Sequence, residues 1–305
     1  MGEFQILQNP ISKKWVILAP RRAKRPDVAK GSEPICPFCV GREKEEQELY
    51  RVGGKTGDPN WQIRVIPNKF PFAEVHEVII HSQDHRKNFG ELPQNQVELI
   101  FQTYRQRYNT HKNKGQARLP DGQVYIFHNR GEGGGESLPH PHSQLAVVPG
   151  DVKMDIPRLA SDGELMIAAK DQNNQETKHF ALFCPKTSQW PDEVWVAPKL
   201  RGRSFGEITD DEIVDLSHIV ARLIKIFNLR HGYEFPFNFY IYPGGDWYLR
   251  FIPREKSLGG FEIGTGIFIN TQDPQETIMF IKEHFVNPDE EKIRSKHRAE
   301  YKRSA

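Results

Sequence analysis

His76-Glu-Val-Ile-Ile80, then Asn88-Phe-Gly-Glu-Leu92 and a helical pattern, is echoed by Asp192-Glu-Val-Trp-Val196, then Ser204-Phe-Gly-Glu-Ile208 and a second helical pattern. The same 116-residue offset relates Glu77 to Glu193, Phe89 to Phe205, Gly90 to Gly206 and Glu91 to Glu207. Each helical pattern is followed by two strand-like runs, the second ending in Val-Val-Pro149 or Phe-Ile-Pro253. Two copies of one strand–helix–strand–strand unit is the economical reading, and such a unit is antiparallel α+β rather than βαβ. The copies divide the chain into 1–150 and 151–305. They differ where chemistry would sit: His85 corresponds to Arg201, and His142, seven residues before Pro149, corresponds to Asp246, seven before Pro253. The first copy keeps its histidines, and the second reads as a diverged structural partner.

Around this repeat, short β-branched and aromatic runs predict strands at Trp15–Leu18, Ile63–Ile66, Val78–His81, Val124–His128, Leu145–Val148, Phe180–Cys184, Val194–Ala197, Phe237–Tyr242, Trp247–Ile252 and Gly266–Ile269. Three helices are expected. Val97, Phe101, Tyr104 and Tyr108 share a face after Pro93, with Gly115 as a stop. Thr209-x-x-Glu212 is a capping box ahead of Ile213, Leu216, Val220, Leu223 and Phe227. Asp273-Pro274 opens a third helix through Ile278, Ile281 and Phe285, and the tail from Asn287 to Ala305 reads as solvated.

The 305 residues carry 42 Lys+Arg against 40 Asp+Glu, a formal charge of +2. That balance argues against a broad nucleic-acid-binding or membrane-binding face. Mean hydropathy is −0.65, and no apolar run approaches the roughly 18 residues of a membrane span. The start of the chain lacks a signal-peptide pattern, and the three cysteines are too few for a secreted disulfide framework. A cytoplasmic globular protein is expected.

Gly131-Glu-Gly-Gly-Gly135-Glu-Ser137 precedes His140-Pro-His142-Ser-Gln144. Residues two apart on a strand share a face, so His140, His142 and Gln144 would form a row that Pro141 could bend. Glycines let a backbone approach closely and offer N–H groups to phosphate oxygens; an unprotonated imidazole beside them would be a nucleophile for phosphorus. The plain alternative is a flexible loop followed by two surface histidines. Cys36-Pro-Phe-Cys39 has zinc-knuckle spacing, and its missing ligands must be His or carboxylate. His85 and His140 are candidates, since each adjoins a strand of the first copy. A redox dithiol is the rival, although no βαβ context surrounds it. Cys184, in Phe180-Ala-Leu-Phe-Cys184, reads as core. Arg21-Arg-Ala-Lys-Arg25 is too short for nucleic-acid binding but could reach a substrate phosphate.

These motifs, with Asn9-Pro, Arg64-Val-Ile-Pro-Asn-Lys-Phe70, Phe127-His-Asn129-x-Gly131, Ser137-Leu-Pro-His-Pro-His-Ser-Gln144 and Gly260-Phe-Glu-Ile-Gly-Thr-Gly266, resemble the galactose-1-phosphate uridylyltransferase family, the transferase branch of the histidine-triad superfamily. The resemblance implies two tandem histidine-triad-like units with antiparallel sheets flanked by helices. The nucleophile and zinc site would lie in 1–150, and the hexose pocket in 151–305. It implies a ping-pong reaction of galactose metabolism, moving UMP between UDP-glucose and a hexose 1-phosphate through a covalent nucleotidyl-His142. Gln144 would hold a phosphoryl oxygen. Cys36, Cys39, His85 and His140 correspond to the ligands of one zinc ion per chain. Asn68 and Lys69 match nucleoside contacts, although the second position is often Asp. Asn129, Gly135, Glu136 and Ser137 match phosphate contacts. Arg22 and Arg25 match residues reaching the sugar phosphate across a homodimer, and Lys256, Phe261 and Glu262 match the hexose pocket. Asp246-Trp-Tyr-Leu-Arg250 replaces the His-x-His of a second, iron-type site, so none is expected. The late Gly-Gly-Phe-Glu-Ile-Gly-Thr-Gly segment also looks like ADP-glucose or dinucleoside polyphosphate phosphorylases, which pass a nucleotidyl group to phosphate. A non-enzymatic zinc-knuckle module binding nucleic acid is the remote alternative, which the near-zero charge supports poorly.

Overall fold

The computed structural model describes residues 4–25, 35–112, 121–159, 175–232, 234–286 and 291. The first half runs β1 (Gln5–Gln8), β2 (Trp15–Leu18), β3 (Tyr50–Val52), β4 (Ile63–Pro67), β5 (His76–Ile80), α1 (Gln94–Lys112), β6 (Gln123–Arg130) and β7 (His142–Val148). The second runs β8 (Gln175–Glu176), β9 (Phe180–Phe183), β10 (Val194–Pro198), α2 (Asp210–His231), β11 (Phe237–Ile241), β12 (Leu249–Pro253), α3 (Gly260–Thr265) and α4 (Pro274–Phe285). The repeat is therefore β5–α1–β6–β7 and β10–α2–β11–β12. Gly115, Pro26 and the tail from Asn287 to Ala305 lie outside the described residues, apart from Glu291.

β1 and β2 pair with each other, while the remaining strands form one antiparallel sheet in the order β3-β4-β5-β7-β6-β11-β12-β10-β9-β8. Outward from the centre, β6-β7-β5-β4 and β11-β12-β10-β9 are the same arrangement twice. The seam is the β6–β11 pair, from Ile126 opposite Ile241 to Arg130 opposite Phe237. Alternation sends Ile79, Ile126, Leu145 and Val147 of the first copy, and Val194, Val196, Phe239 and Phe251 of the second, to one face. There they meet the buried stripes of α1 (Val97, Phe101, Tyr104, Tyr108) and α2 (Ile213, Leu216, Val220, Leu223, Phe227) in a single core that crosses the seam. The opposite face is divided. Phe38, Trp61, Ile66, Val78, Ile80 and Leu138 cluster behind the first copy, and Trp190, Trp195, Tyr240 and Tyr248 behind the second. None of the described helices is long and apolar enough to cross a membrane.

The expected capping box closes α2: Thr209 Oγ1 accepts from Glu212 N–H at 3.3 Å, and the Glu212 carboxylate accepts from Thr209 N–H at 2.8 Å. α4 begins as its Asp273-Pro274 start requires, with Asp273 accepting from Gln275 N–H. The strand expected over Gly266–Ile269 does not form. Gly266, at φ 72°, ends α3 in the left-handed conformation, and the segment after it has no neighbouring strand to pair with. Three described strands, β1, β3 and the two-residue β8, are not among those the runs predict.

The second copy shows what took the place of the histidines. Arg201 and Asp246, at the positions of His85 and His142, form a two-point ion pair, and Asp246 also accepts from Gly202 N–H. In the first copy β5 is pinned to α1 by Glu77, which accepts from Arg107 Nε at 2.9 Å, from Arg107 Nη2 at 2.6 Å and from His111 Nε2 at 2.7 Å. Burial alone would raise the Glu77 pKa, but the hydrogen bonds and charges of His111 and Arg107 override it and hold it below the usual carboxylate range. A depressed folded-state pKa contributes stability above the unfolded value and loses it as pH falls through the folded one. Thermal melts should therefore drop as pH is lowered below about 4.3, the unperturbed Glu value. Arg107→Ala, which takes both guanidinium bonds from the buried Glu77 carboxylate and leaves it His111 alone, should cost about 3 kcal/mol in denaturant unfolding at neutral pH.

Candidate active site

A cavity of about 320 Å³ opens on the non-helical face of the first copy, walled by Phe38, Ile66, Val78 and Leu138 and by the polar side chains of Asn68, Ser137, His142 and Gln144. Lys24, Arg25, Arg42 and Lys69 stand around it with Glu45 and Glu46. β7 supplies the two central groups because His142 and Gln144 are two residues apart on one strand. His140 does not continue the row. The chain bends at Pro141, whose carbonyl accepts from His81 N–H, and β7 begins only at His142.

His142 is nearly buried. Its Nδ1–H donates to the His140 carbonyl at 2.9 Å, which leaves Nε2 for the cavity. The Phe38 ring packs edge-on against it with centroids 5.2 Å apart. Burial, with Arg25 and Arg130 adding to it, lowers its pKa to about 4 even though the His140 carbonyl favours the charged form. At neutral pH the ring is uncharged, with a lone pair on Nε2. Beneath β7, Ser143 points to the helical face and meets His81 Nε2, Tyr104 Oη and His128 Nδ1, all fully buried. His128 Nδ1 also lies 3.0 Å from the His142 carbonyl, so the strand is held from below as well.

The ligand atoms of Cys36, Cys39, His85 and His140 lie within 4.8 Å of one another. Cys39 Sγ is 3.2 Å from His85 Nδ1 and 3.7 Å from His140 Nδ1. His140 Nε2–H donates to the Ser82 carbonyl at 2.9 Å, so the lone pair is on Nδ1, facing the sulfur atoms. Burial pushes the Cys36 thiol up to about 11, a cost that a bound cation would reverse. Two sulfurs and two imidazole nitrogens, with the His140 tautomer already set, fit a tetrahedral metal ion.

The glycine loop departs from expectation. The N–H groups of Gly134, Gly135 and Glu136 are bonded to Gly131 O, Glu132 O and Gly131 O, so they are turned into the loop and not toward a phosphate. Gly134 is required for packing: a Cβ there would lie 2.2 Å from the Arg130 carbonyl oxygen. Glu136 accepts from Arg130 and from Gly131 N–H, again inside the loop. Ser137 is the loop residue that reaches the cavity wall. Asn129, on β6, accepts through Oδ1 from Asn238 Nδ2 across the seam at 2.8 Å, and Asn238 is held by Arg254.

Arg22 donates to the Phe70 carbonyl and lies over the Phe72 ring at 5.1 Å, while Arg25 lines the cavity of its own chain. Burial, and to a lesser degree the adjacent Arg25 charge, lowers the Arg22 pKa. Lys69 is largely exposed, 3.6 Å from Glu46. Lys256, Phe261 and Glu262 are not among the residues that wall the cavity: Lys256 bonds the Ile269 carbonyl and lies 3.6 Å from Glu262, and Phe261 is exposed. Sequence reasoning gave no role to His76, Arg130 or Asn238. Their parts depend on strand register and on the seam, which local patterns do not carry.

The chain is similar in sequence and fold to known proteins. The family described as "Galactose-1-phosphate uridyl transferase, N-terminal domain" matches residues 74–147, which span β5 to β7. The chain is 29% identical to an ADP-glucose phosphorylase of Arabidopsis thaliana, over 92% of both chains. It is 25% identical to a galactose-1-phosphate uridylyltransferase of Thermotoga maritima, over 92% of this chain and 98% of that one. A crystal structure of an Arabidopsis thaliana ADP-glucose phosphorylase with bound ADP-glucose superposes with a TM-score of 0.70 at 26% identity, over 92% of this chain and 99% of that one.

Proposed function

We infer that this chain, a member of the galactose-1-phosphate uridylyltransferase family, is a nucleotidylyltransferase that moves UMP between a UDP-hexose and a hexose 1-phosphate through a covalent nucleotidyl-His142. The observation that carries this reading is the buried, neutral His142 ring, with Nδ1–H on the His140 carbonyl and Nε2 left for the cavity. The Nε2 lone pair attacks the α-phosphorus, and the bond to the leaving hexose 1-phosphate oxygen breaks. No proton need move, because Nδ1–H stays on the His140 carbonyl, whose dipole stabilises the positive charge that the ring acquires. An oxygen of the second hexose 1-phosphate then displaces His142 from phosphorus and restores the neutral ring. Gln144 donates its amide N–H to a phosphoryl oxygen, and Arg25 and Ser137 stand where the remaining phosphate oxygens would lie. Asn68 and Lys69 are assigned to the nucleoside, with Asn129, Gly135 and Glu136 shaping the phosphate side and Arg22 supporting Arg25. Lys256, Phe261 and Glu262 are assigned to the hexose.

The Cys36–Cys39–His85–His140 quartet is assigned to one zinc ion per chain. Zinc bound there neutralises the two thiolates and ties the Cys36–Cys39 turn to the entrance of β7. A cytoplasmic homodimer completes the reading, supported by exposed apolar side chains on the β1–β2 hairpin (Leu7, Val16, Leu18) and around α3 (Phe261, Ile263, Ile267). A second reading, transfer of the adenylyl group of ADP-glucose or a dinucleoside polyphosphate to phosphate (from ADP-glucose, with glucose 1-phosphate leaving), is favoured by the higher identity to an ADP-glucose phosphorylase.

Incubation with labelled UDP-glucose should yield an acid-labile, base-stable adduct on the wild type and none on His142→Ala. A panel of UDP- and ADP-sugars, with hexose 1-phosphates or free phosphate as acceptors, separates the two readings: phosphate-dependent turnover of ADP-glucose alone would select the second. Metal analysis should find about one zinc per chain, falling sharply in Cys36→Ser and His85→Ala, with a lower melting temperature after chelation.

A further inference from the structure

The reading above asks Gln144 to donate to a phosphoryl oxygen, yet a primary amide can present either its NH2 or its oxygen. The groups behind Gln144 decide between them. Gln144 Oε1 lies 2.9 Å from His76 Nε2 and 3.2 Å from Asn68 Nδ2. The His76 ring is itself fixed, since Phe72 N–H donates to its Nδ1 at 3.3 Å and the Phe72 ring packs against it at 4.1 Å. An Nδ1 that accepts leaves the proton on Nε2, pointing at Gln144. Asn68 is oriented in the same way: its Oδ1 accepts from Phe70 N–H at 2.9 Å, which turns Nδ2 toward Gln144 Oε1, with His76 Nε2 also 3.2 Å away as the second donor converging on that oxygen. Arg22, bonded to the Phe70 carbonyl and lying over Phe72, secures the turn that leads from Asn68 to His76. Two donors on Oε1 keep the Gln144 oxygen at the back of the cavity and its NH2 at the front.

We propose that His76 is a positioning residue for nucleotidyl transfer: it holds the Gln144 amide with its N–H bonds toward the phosphoryl group and its oxygen away from the cavity. A reversed amide would set an oxygen against the phosphoryl oxygens and would offer an acceptor that could orient water for hydrolysis of the adduct. His76 thus supports both the rate of attack and the preference for a sugar phosphate or phosphate acceptor over water. This inference rests on the transfer reading given above.

The test is a double-mutant cycle between positions 76 and 144, read by single-turnover formation of the His142 adduct from UDP-glucose and from ADP-glucose. His76→Phe keeps a ring of similar size and removes the donor. It should slow adduct formation about tenfold to a hundredfold, change nucleotide-sugar affinity less than about threefold, and raise the share of adduct lost to water. In a Gln144→Ala background the same change should have almost no further effect. His76→Gln, which restores an N–H donor, should recover much of the rate, and this variant carries the comparison if the Phe variant does not fold. Equal slowing in both backgrounds, a loss confined to affinity, or a folded His76→Gln slowed about a hundredfold would overturn the proposal. No adduct on the wild type with either nucleotide sugar would overturn the transfer reading and this inference with it, whereas a wild-type adduct with additive variants overturns this inference alone.

Discussion

One hydrogen bond, from His142 Nδ1 to the His140 carbonyl, settles which ring nitrogen keeps its lone pair free. A buried neutral imidazole has one donor and one acceptor, and occupying one side determines the other. That carbonyl is well placed only because His140 is held separately, through its Nε2 on the Ser82 carbonyl and its Nδ1 beside Cys39. The bend at Pro141 therefore separates two tasks that a straight strand would have merged. His140 turns to the sulfur pair and His142 to the cavity, while the residue between them lends its carbonyl to His81 N–H.

The remaining contacts extend the same logic of paired donors and acceptors. Below β7, Ser143 gathers His81, Tyr104 and His128, so the strand that carries His142 rests on a buried polar layer and not on aliphatic side chains alone. Such a layer is costly where its members are left unsatisfied, and here the hydroxyls and one nitrogen of each ring are paired while His81 Nδ1 and His128 Nε2 have no hydrogen-bond partner. Across the seam, Asn238 and Arg254 of the second copy orient Asn129 of the first. The second copy, with Arg201 and Asp246 joined as an ion pair in place of two histidines, has become a support for the first.

Much of this was legible before any coordinates. Cys-x-x-Cys and His-Pro-His carry their chemistry in local spacing, and Cys36, Cys39, His85 and His140 do converge. The repeat announced the sheet's twofold plan because its helices have strong apolar stripes and one has a complete capping box. His76 was in plain view inside the repeat, yet its partner is Gln144, reached only through the β5–β7 register that places Val78 opposite Gln144. Register is a property of two strands at once, so neither run discloses it alone. Gly266–Ile269 failed for the complementary reason: its side chains suit a strand, but no neighbour completes the ladder. The inward-turned amides of the glycine loop were hidden too, because glycine permits a phosphate cradle and a self-bonded turn equally well.

The seam between β6 and β11 also governs how the protein behaves in a crowded solution. Two separate sheets would expose four outer strands, each a template for pairing with another chain. Joined, they leave two, and the strands at those positions are β3, with three residues, and β8, with two. The longest strands, β6 and β7, lie in the middle, where both neighbours are taken. Among the described residues, fusing the copies thus pairs the longest strands of the ten-stranded sheet on both sides and leaves short stubs at its two rims.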